Sequence, residues 1–199
     1  MVVLSIKANK SSDCKSFNFF ETTDSYDVSN NPNGWGAPNE VTGDATAATL
    51  TISNLTTSVQ YDDIDLFATG NFPTTDTTIF ENIDYTDLLV GGVQQLTSDN
   101  IIPDGIYKFL YNVTTSTRTY TQACYITATC NILCCIKKLA NSVEIGECDK
   151  CNESDSQRFL EAYAQYKAMM FSAAAGNISQ FNNQYSCLTT FCDDTCADC

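Results

Sequence analysis

Apolar and polar residues alternate along the first two-thirds of the chain, and apolar residues recur at helical spacing along the last third. The first pattern predicts strands with one buried face, and the second predicts amphipathic helices. Met1-Val2-Val3-Leu4-Ser5-Ile6-Lys7 reads as a first strand, and Phe17 and Phe19 mark the apolar face of a second. Leu50 and Ile52 share one face of Ala48–Ile52, and Asp63–Leu66 repeats the alternation. Residues Pro73 to Asp87 hold turn formers and scattered aromatics, which predicts a loop, with a short strand at Leu88-Leu89-Val90 before Gly91-Gly92. Pro103-Asp104-Gly105 has the composition of a turn. Tyr107, Phe109, Tyr111 and Val113 then fall on one strand face, and Thr119–Cys124 returns after a polar turn around Ser116 to close a hairpin.

Near Tyr125 the period changes. Ile132, Leu133, Ile136 and Leu139 form one helical stripe, and Phe159, Tyr163, Tyr166, Met170 and Ala173 form another, behind the polar lead-in Asn152-Glu153-Ser154-Asp155. Gly176 ends that helix and Asn177 caps the next, whose stripe is Ile178, Phe181, Tyr185 and Leu188. The Tyr and Met stripe is the core of a helical hairpin rather than a cofactor box. Together these patterns predict an α+β chain: an antiparallel β-sandwich over residues 1–127, joined without a flexible linker to a Cys-rich α-helical hairpin over residues 128–199.

Composition narrows the chemistry. The 199 residues include no histidine, which excludes Ser-His-Asp and Cys-His catalysis and every histidine metal site. Ten basic residues against 24 acidic ones leave a net charge of −14, which opposes any grip on phosphates. Such a surface suits a passage that DNA crosses without sticking. No run reaches the roughly eighteen apolar residues of a membrane span. The N-terminal strand lacks the features of a signal peptide, so synthesis in the cytoplasm is expected. Asp62, Asp63 and Asp65 lie close together but lack a calcium-loop glycine, and Gly91-Gly92 lacks the lysine and further glycines of a phosphate loop.

Of eleven cysteines only Cys14 precedes the last β-hairpin. Cys148-Asp149-Lys150-Cys151 stands before the long helix and Cys196-Ala197-Asp198-Cys199 follows the final one, so an antiparallel hairpin brings the two Cys-x-x-Cys pairs to one end. Three states fit. Cys148, Cys151, Cys196 and Cys199 have the donor set of a Cys₄ zinc site. Disulfides would staple the same ends outside a reducing compartment. Free thiols packed as small apolar residues are the expectation for a protein made in a cytoplasm.

The stretch Asn31-Pro32-Asn33-Gly34-Trp35-Gly36-Ala37-Pro38-Asn39 holds the only tryptophan and two of the four prolines. Pro32, Gly34, Gly36 and Pro38 stiffen the chain on both sides of the indole, as suits a packing or interface anchor. With the preceding Phe17–Tyr26 segment, this loop resembles the N-terminal part of structural proteins encoded beside the neck and tail genes of short-tailed phages, crAss-like phages among them. Their loop reads Asn-Pro-Gly-Gly-Trp-Gly-x-Pro-Asn; Asn33 replaces the first Gly here, and Ser25 stands where the family has a Gly before Tyr26. Pro103-Asp104-Gly105-Ile106-Tyr107 and the Cys-rich helical tail add to the similarity. The resemblance implies a non-enzymatic virion protein of a neck or tail ring, or tail hub. It would contact copies of itself, portal or adjacent ring proteins, and tail proteins, around a DNA channel. The competing reading is a carbohydrate-binding or carboxylate-based carbohydrate-active β-sandwich, with Trp35 or Asp63 and Asp65 in the binding role.

If Trp35 anchors a core or a subunit contact, Trp35→Ala will cost about 3–5 kcal/mol, read as a lower melting temperature or lost assembly. Unchanged melting and assembly would remove the anchor role.

Overall fold

A computed structural model describes residues 5–22, 45–66, 79–97, 99–116, 119–144 and 153–189. Within them the chain is mixed α and β, with antiparallel sheets and three helices. One sheet has the order β1-β2-β6, formed by β1 (Ser5–Lys10), β2 (Ser16–Thr22) and β6 (Ile79–Asp84). The larger sheet has the order β10-β9-β3-β4, from β3 (Ala45–Asn54), β4 (Val59–Gln60), β9 (Gly105–Thr115) and β10 (Thr119–Ala128). In it β5 (Ile64–Asp65) also pairs with β3. β7 (Leu89–Val90) and β8 (Val93–Gln94) make a separate two-stranded hairpin.

The alternating faces become the core. Phe17 and Phe19 of β2, Ala48, Leu50 and Ile52 of β3, and Tyr107, Phe109, Tyr111 and Val113 of β9 are all fully buried in one cluster. The two larger sheets meet through rings. Phe17 sits edge-on to Phe109 at 5.3 Å between centroids and tilts against Tyr107 at 4.9 Å. Phe19 meets Tyr111 at 5.4 Å. Such pairs add about 0.5–1.5 kcal/mol each beyond the area they bury. The bulk of the cluster's stability is the removal of those rings from water.

The segment expected to be loop contains β6, which pairs with β2 from Ser16↔Asp84 to Glu21↔Ile79 and sends Ile83 into the core. Its Glu, Asn and Asp side chains hide the strand signal, and pairing to β2 overrides that weak local preference. Among the described residues the first strand runs on to Lys10, past its expected end, and the returning strand β10 runs on to Ala128.

The helices are α1 (Cys130–Glu144), α2 (Glu153–Ala174) and α3 (Ile178–Thr189). They share a second cluster in which Ile132, Ile136, Ala162, Met169, Phe181 and Leu188 pack with Ile106 of β9. Ile106 and Tyr107 point to opposite faces of the strand, so β9 serves both clusters. The expected stripe on α2 packs here through Phe159, Tyr166, Met170 and Ala173, with Ala162 and Met169 buried beside them, whereas Tyr163 is 38% exposed. Tyr163 stacks on Phe159, and Lys167 Nζ lies 4.5 Å above its ring.

The α2–α3 turn forms as its residues dictate. Gly176 takes φ +69°, its N–H bonds to the Ala173 carbonyl, and the Asn177 N–H bonds to the Ser172 carbonyl. That pattern is a Schellman stop, favourable where the left-handed residue has no Cβ. Asn177 Oδ1 then accepts the Gln180 N–H at 3.1 Å and caps α3.

Phe109 contacts rings from the facing sheet, so Phe109→Ala will destabilise the fold by about 3–5 kcal/mol in urea titration. A loss under about 1 kcal/mol would show that the two sheets do not share this core.

Candidate functional site

The richest polar site among the described residues is the joint where the large sheet hands over to α1. Only Thr129 separates β10 from α1, which leaves the first N–H groups of the helix without local partners. Asp104, in the turn before β9, supplies them. Its Oδ2 accepts the Ile132 N–H at 2.8 Å and its Oδ1 accepts the Asn131 N–H at 3.0 Å. The side chain is 1% exposed. Burial pushes its pKa up to about 6, against the opposing pull of the helix N–H groups and of Lys10.

The turn is held from its other side by Asn54, at the end of β3. Asn54 Oδ1 accepts the N–H groups of Thr56 and Thr57, and its Nδ2 donates to the Asp104 carbonyl. Gly105 has no alternative here, because a Cβ would lie 2.5 Å from Asn54 Oδ1. The Thr56 hydroxyl accepts the Ile106 N–H, and Tyr107 Oη donates to the Pro103 carbonyl at 2.8 Å. Burial raises the phenols of Tyr61, Tyr85 and Tyr107, which keeps this cluster neutral and hydrogen-bonded.

A covalent bond closes the same joint. Cys14, in the turn between β1 and β2, is disulfide-bonded to Cys130, the first residue of α1, across a sequence separation of 116 and a Cα–Cα distance of 6.2 Å. Cys134 and Cys135 are also disulfide-bonded. The expectation of free thiols concerns Cys148, Cys151, Cys196 and Cys199, which lie outside the described residues. Cys14 has no cysteine near it in sequence, so spacing gave no hint, and only the sheet brings its turn to the helix start. The Ile102 N–H bonds to the Cys14 carbonyl at 2.8 Å, and Lys10 Nζ lies 3.2 Å from Cys14 Sγ. A cavity of about 190 Å³ opens beside the disulfide, with Lys10, Asp13, Asn131 and Lys137 in its wall. Cys124 is a free thiol, and burial pushes it up to about 11.

Other anticipated sites divide two ways. Asn31, Pro32, Gly34, Trp35, Gly36 and Pro38 lie outside the described residues, as do Cys148, Cys151, Cys196 and Cys199. Among the described residues no group of three or more side chains is placed to hold a metal ion. The aspartates near β5 have structural partners. Asp62 accepts the N–H groups of Gly91 and Gly92 at 2.9 and 2.7 Å, fixing the β7–β8 turn, and Asp63 accepts the Thr51 hydroxyl. No helix among the described residues is long and apolar enough to cross a membrane.

Two exposed apolar surfaces complete the picture. Val93 of β8 and Leu96, two residues past its end, are each 64% exposed. On α2, Leu160 and Phe171 stand out to solvent, 62% and 77% exposed. An open groove of about 500 Å³ runs beside Met170 and Ile178, between the helical hairpin and Tyr125–Thr127 of β10.

No protein-family model, no curated protein and no solved structure matches the chain.

Asp104 titrates near 6 in the fold against 3.8 for the unperturbed group. A raised carboxylate pKa means that its contribution to stability is full below about pH 4 and is lost as pH rises through about 6. Relative to Asp104→Asn, the native protein will therefore lose on the order of 3 kcal/mol across that window. Urea titrations of both proteins from pH 4 to 7 measure the difference, and a constant difference would contradict the raised pKa.

Proposed function

We propose that the chain is a structural, non-enzymatic subunit of a closed ring in the neck or tail of a short-tailed phage, positioned around the path of the DNA and located in the virion. In this reading the two larger sheets form a sandwich, and the helices extend the subunit at one end. The observation that carries the proposal is the pair of exposed apolar surfaces on different elements, the β7–β8 arm and the outer face of α2. A cyclic assembly repeats one heterologous contact, so each subunit needs two unlike faces. Exposed apolar residues grouped on an arm and along a helix are what such contacts use.

Three further features support it. The Trp35 loop resembles the phage family. A net charge of −14 suits a wall that DNA passes without binding. The carboxylates of Asp62, Asp63 and Asp104 are engaged in holding turns and a helix end. Portal or adjacent ring proteins on one side, and tail proteins on the other, are the partners that this position requires.

The purified protein is expected to form a discrete oligomer by light scattering, and to occupy a ring in an averaged virion reconstruction. Val93→Asp combined with Phe171→Asp will convert the oligomer to folded monomer. A wild-type chain that stays monomeric, or that is missing from purified virions, would defeat the proposal.

A further inference from the structure

The disulfide at the joint has surroundings that bear on how it opens. Cys14 and Cys130 are both partly exposed, and the cavity of about 190 Å³ gives a small reductant access to them. The Lys10 ammonium is in contact with Cys14 Sγ at 3.2 Å. A cation at that distance stabilises a thiolate and makes the sulfur a better leaving group. Cys130 lies at the start of α1, where the Asp104 carboxylate already occupies the N–H groups of Asn131 and Ile132. The helix end is therefore less able to stabilise a second anion on Cys130. The other charged groups around the cavity are Lys137, which adds to the positive field, and Asp13, which opposes it.

We propose that Cys14–Cys130 is a thiol–disulfide exchange site, a clasp between the β1–β2 turn and α1 that a dithiol opens without unfolding the protein. The thiolate of the dithiol attacks Cys130 Sγ and forms a mixed disulfide. The Cys14–Cys130 bond breaks, and its electron pair leaves on Cys14 Sγ beside Lys10. The second thiol of the reductant, as thiolate, then attacks its own sulfur in the mixed disulfide. Cys130 departs with the electron pair and takes up a proton, and the reductant is left as a disulfide. Two electrons pass from the dithiol to the protein. In a reducing compartment the joint stands open, and an oxidant of the disulfide class closes it by the reverse steps. This goes beyond the ring reading and holds for the isolated chain whether or not it assembles.

The test uses the purified, air-oxidised protein. Peptide mapping without reductant is expected to recover the Cys14–Cys130 linked peptide. Graded dithiothreitol, with trapping of new thiols by N-ethylmaleimide, is expected to open it while the near-ultraviolet circular dichroism of the aromatic core persists. In the reduced protein the alkylation of Cys14 should follow a thiolate midpoint below the free-cysteine value of about 8.5. Lys10→Gln should slow Cys14 alkylation at pH 7 by about threefold to tenfold, equivalent to 0.5–1 pH unit, and Lys10→Arg should restore it. Absence of the linked peptide, opening only together with loss of the aromatic signal, or a Cys14 midpoint at or above the free value would each overturn the proposal. So would a folded Lys10→Gln protein with unchanged kinetics. None of these readouts depends on oligomeric state, so failure here leaves the ring reading to its own test.

Discussion

The carboxylate of Asp104 supplies hydrogen-bond partners to the first turn of α1, a helix that begins 26 residues after it in sequence. A helix that starts directly after a strand has no room for a capping loop, and buried N–H groups without partners are costly. The sheet meets that need by bringing the Pro103-Asp104-Gly105 turn to the helix end. The same residue's carbonyl accepts Asn54 Nδ2, and the absence of a side chain at Gly105 makes that approach possible. Three segments distant in sequence are thus held through one residue, and burial of the charge raises its pKa. The joint is stiff because each part is needed by another.

Much of the fold was legible in the residues. The stripe Tyr107-Phe109-Tyr111-Val113 is fully buried, as alternation required, and Gly176-Asn177 stops one helix and caps the next. Local rules suffice there because the signal lies within one element. They fail where a distant partner decides. β6 mixes Ile and Phe with Glu, Asn and Asp out of strict alternation and becomes a strand by pairing with β2. On α2 the packing also buries Ala162 and Met169, which the stripe did not include, and leaves Tyr163 at its margin. Of the site, the Pro-Asp-Gly sequence announced a turn but not a helix cap. Nothing in cysteine spacing linked Cys14 to Cys130. The Trp35 loop and the two Cys-x-x-Cys pairs lie outside the described residues.

Hydrogen bonds and the disulfide at the joint restrict different states. The Asp104 contacts act on the folded chain, and their strength follows pH. The cross-link between Cys14 and Cys130 acts chiefly by removing freedom from the unfolded chain. In the loop-closure account, a span of this length contributes about 5 kcal/mol. One restraint answers to protons and the other to electrons, and the two meet at Cys130, whose backbone N–H also acts on Asp104.

The register of the large sheet has a consequence for synthesis. β3 pairs with β9 from Ala45↔Thr115 to Asn54↔Tyr107, so the central ladder joins strands from opposite halves of the chain. β9–β10 and α2–α3 are local hairpins, which close in about microseconds once their residues are available. A ribosome adding about 5–20 residues per second leaves β3 without its partner for several seconds. During that interval β3, with Ala48, Leu50 and Ile52 on its apolar face, lacks its ladder partner. The threonines that alternate with them, Thr49 and Thr51, keep the nascent segment half polar while it waits. The order in which the chain emerges, more than the strength of any one contact, then sets when this protein is most exposed to aggregation.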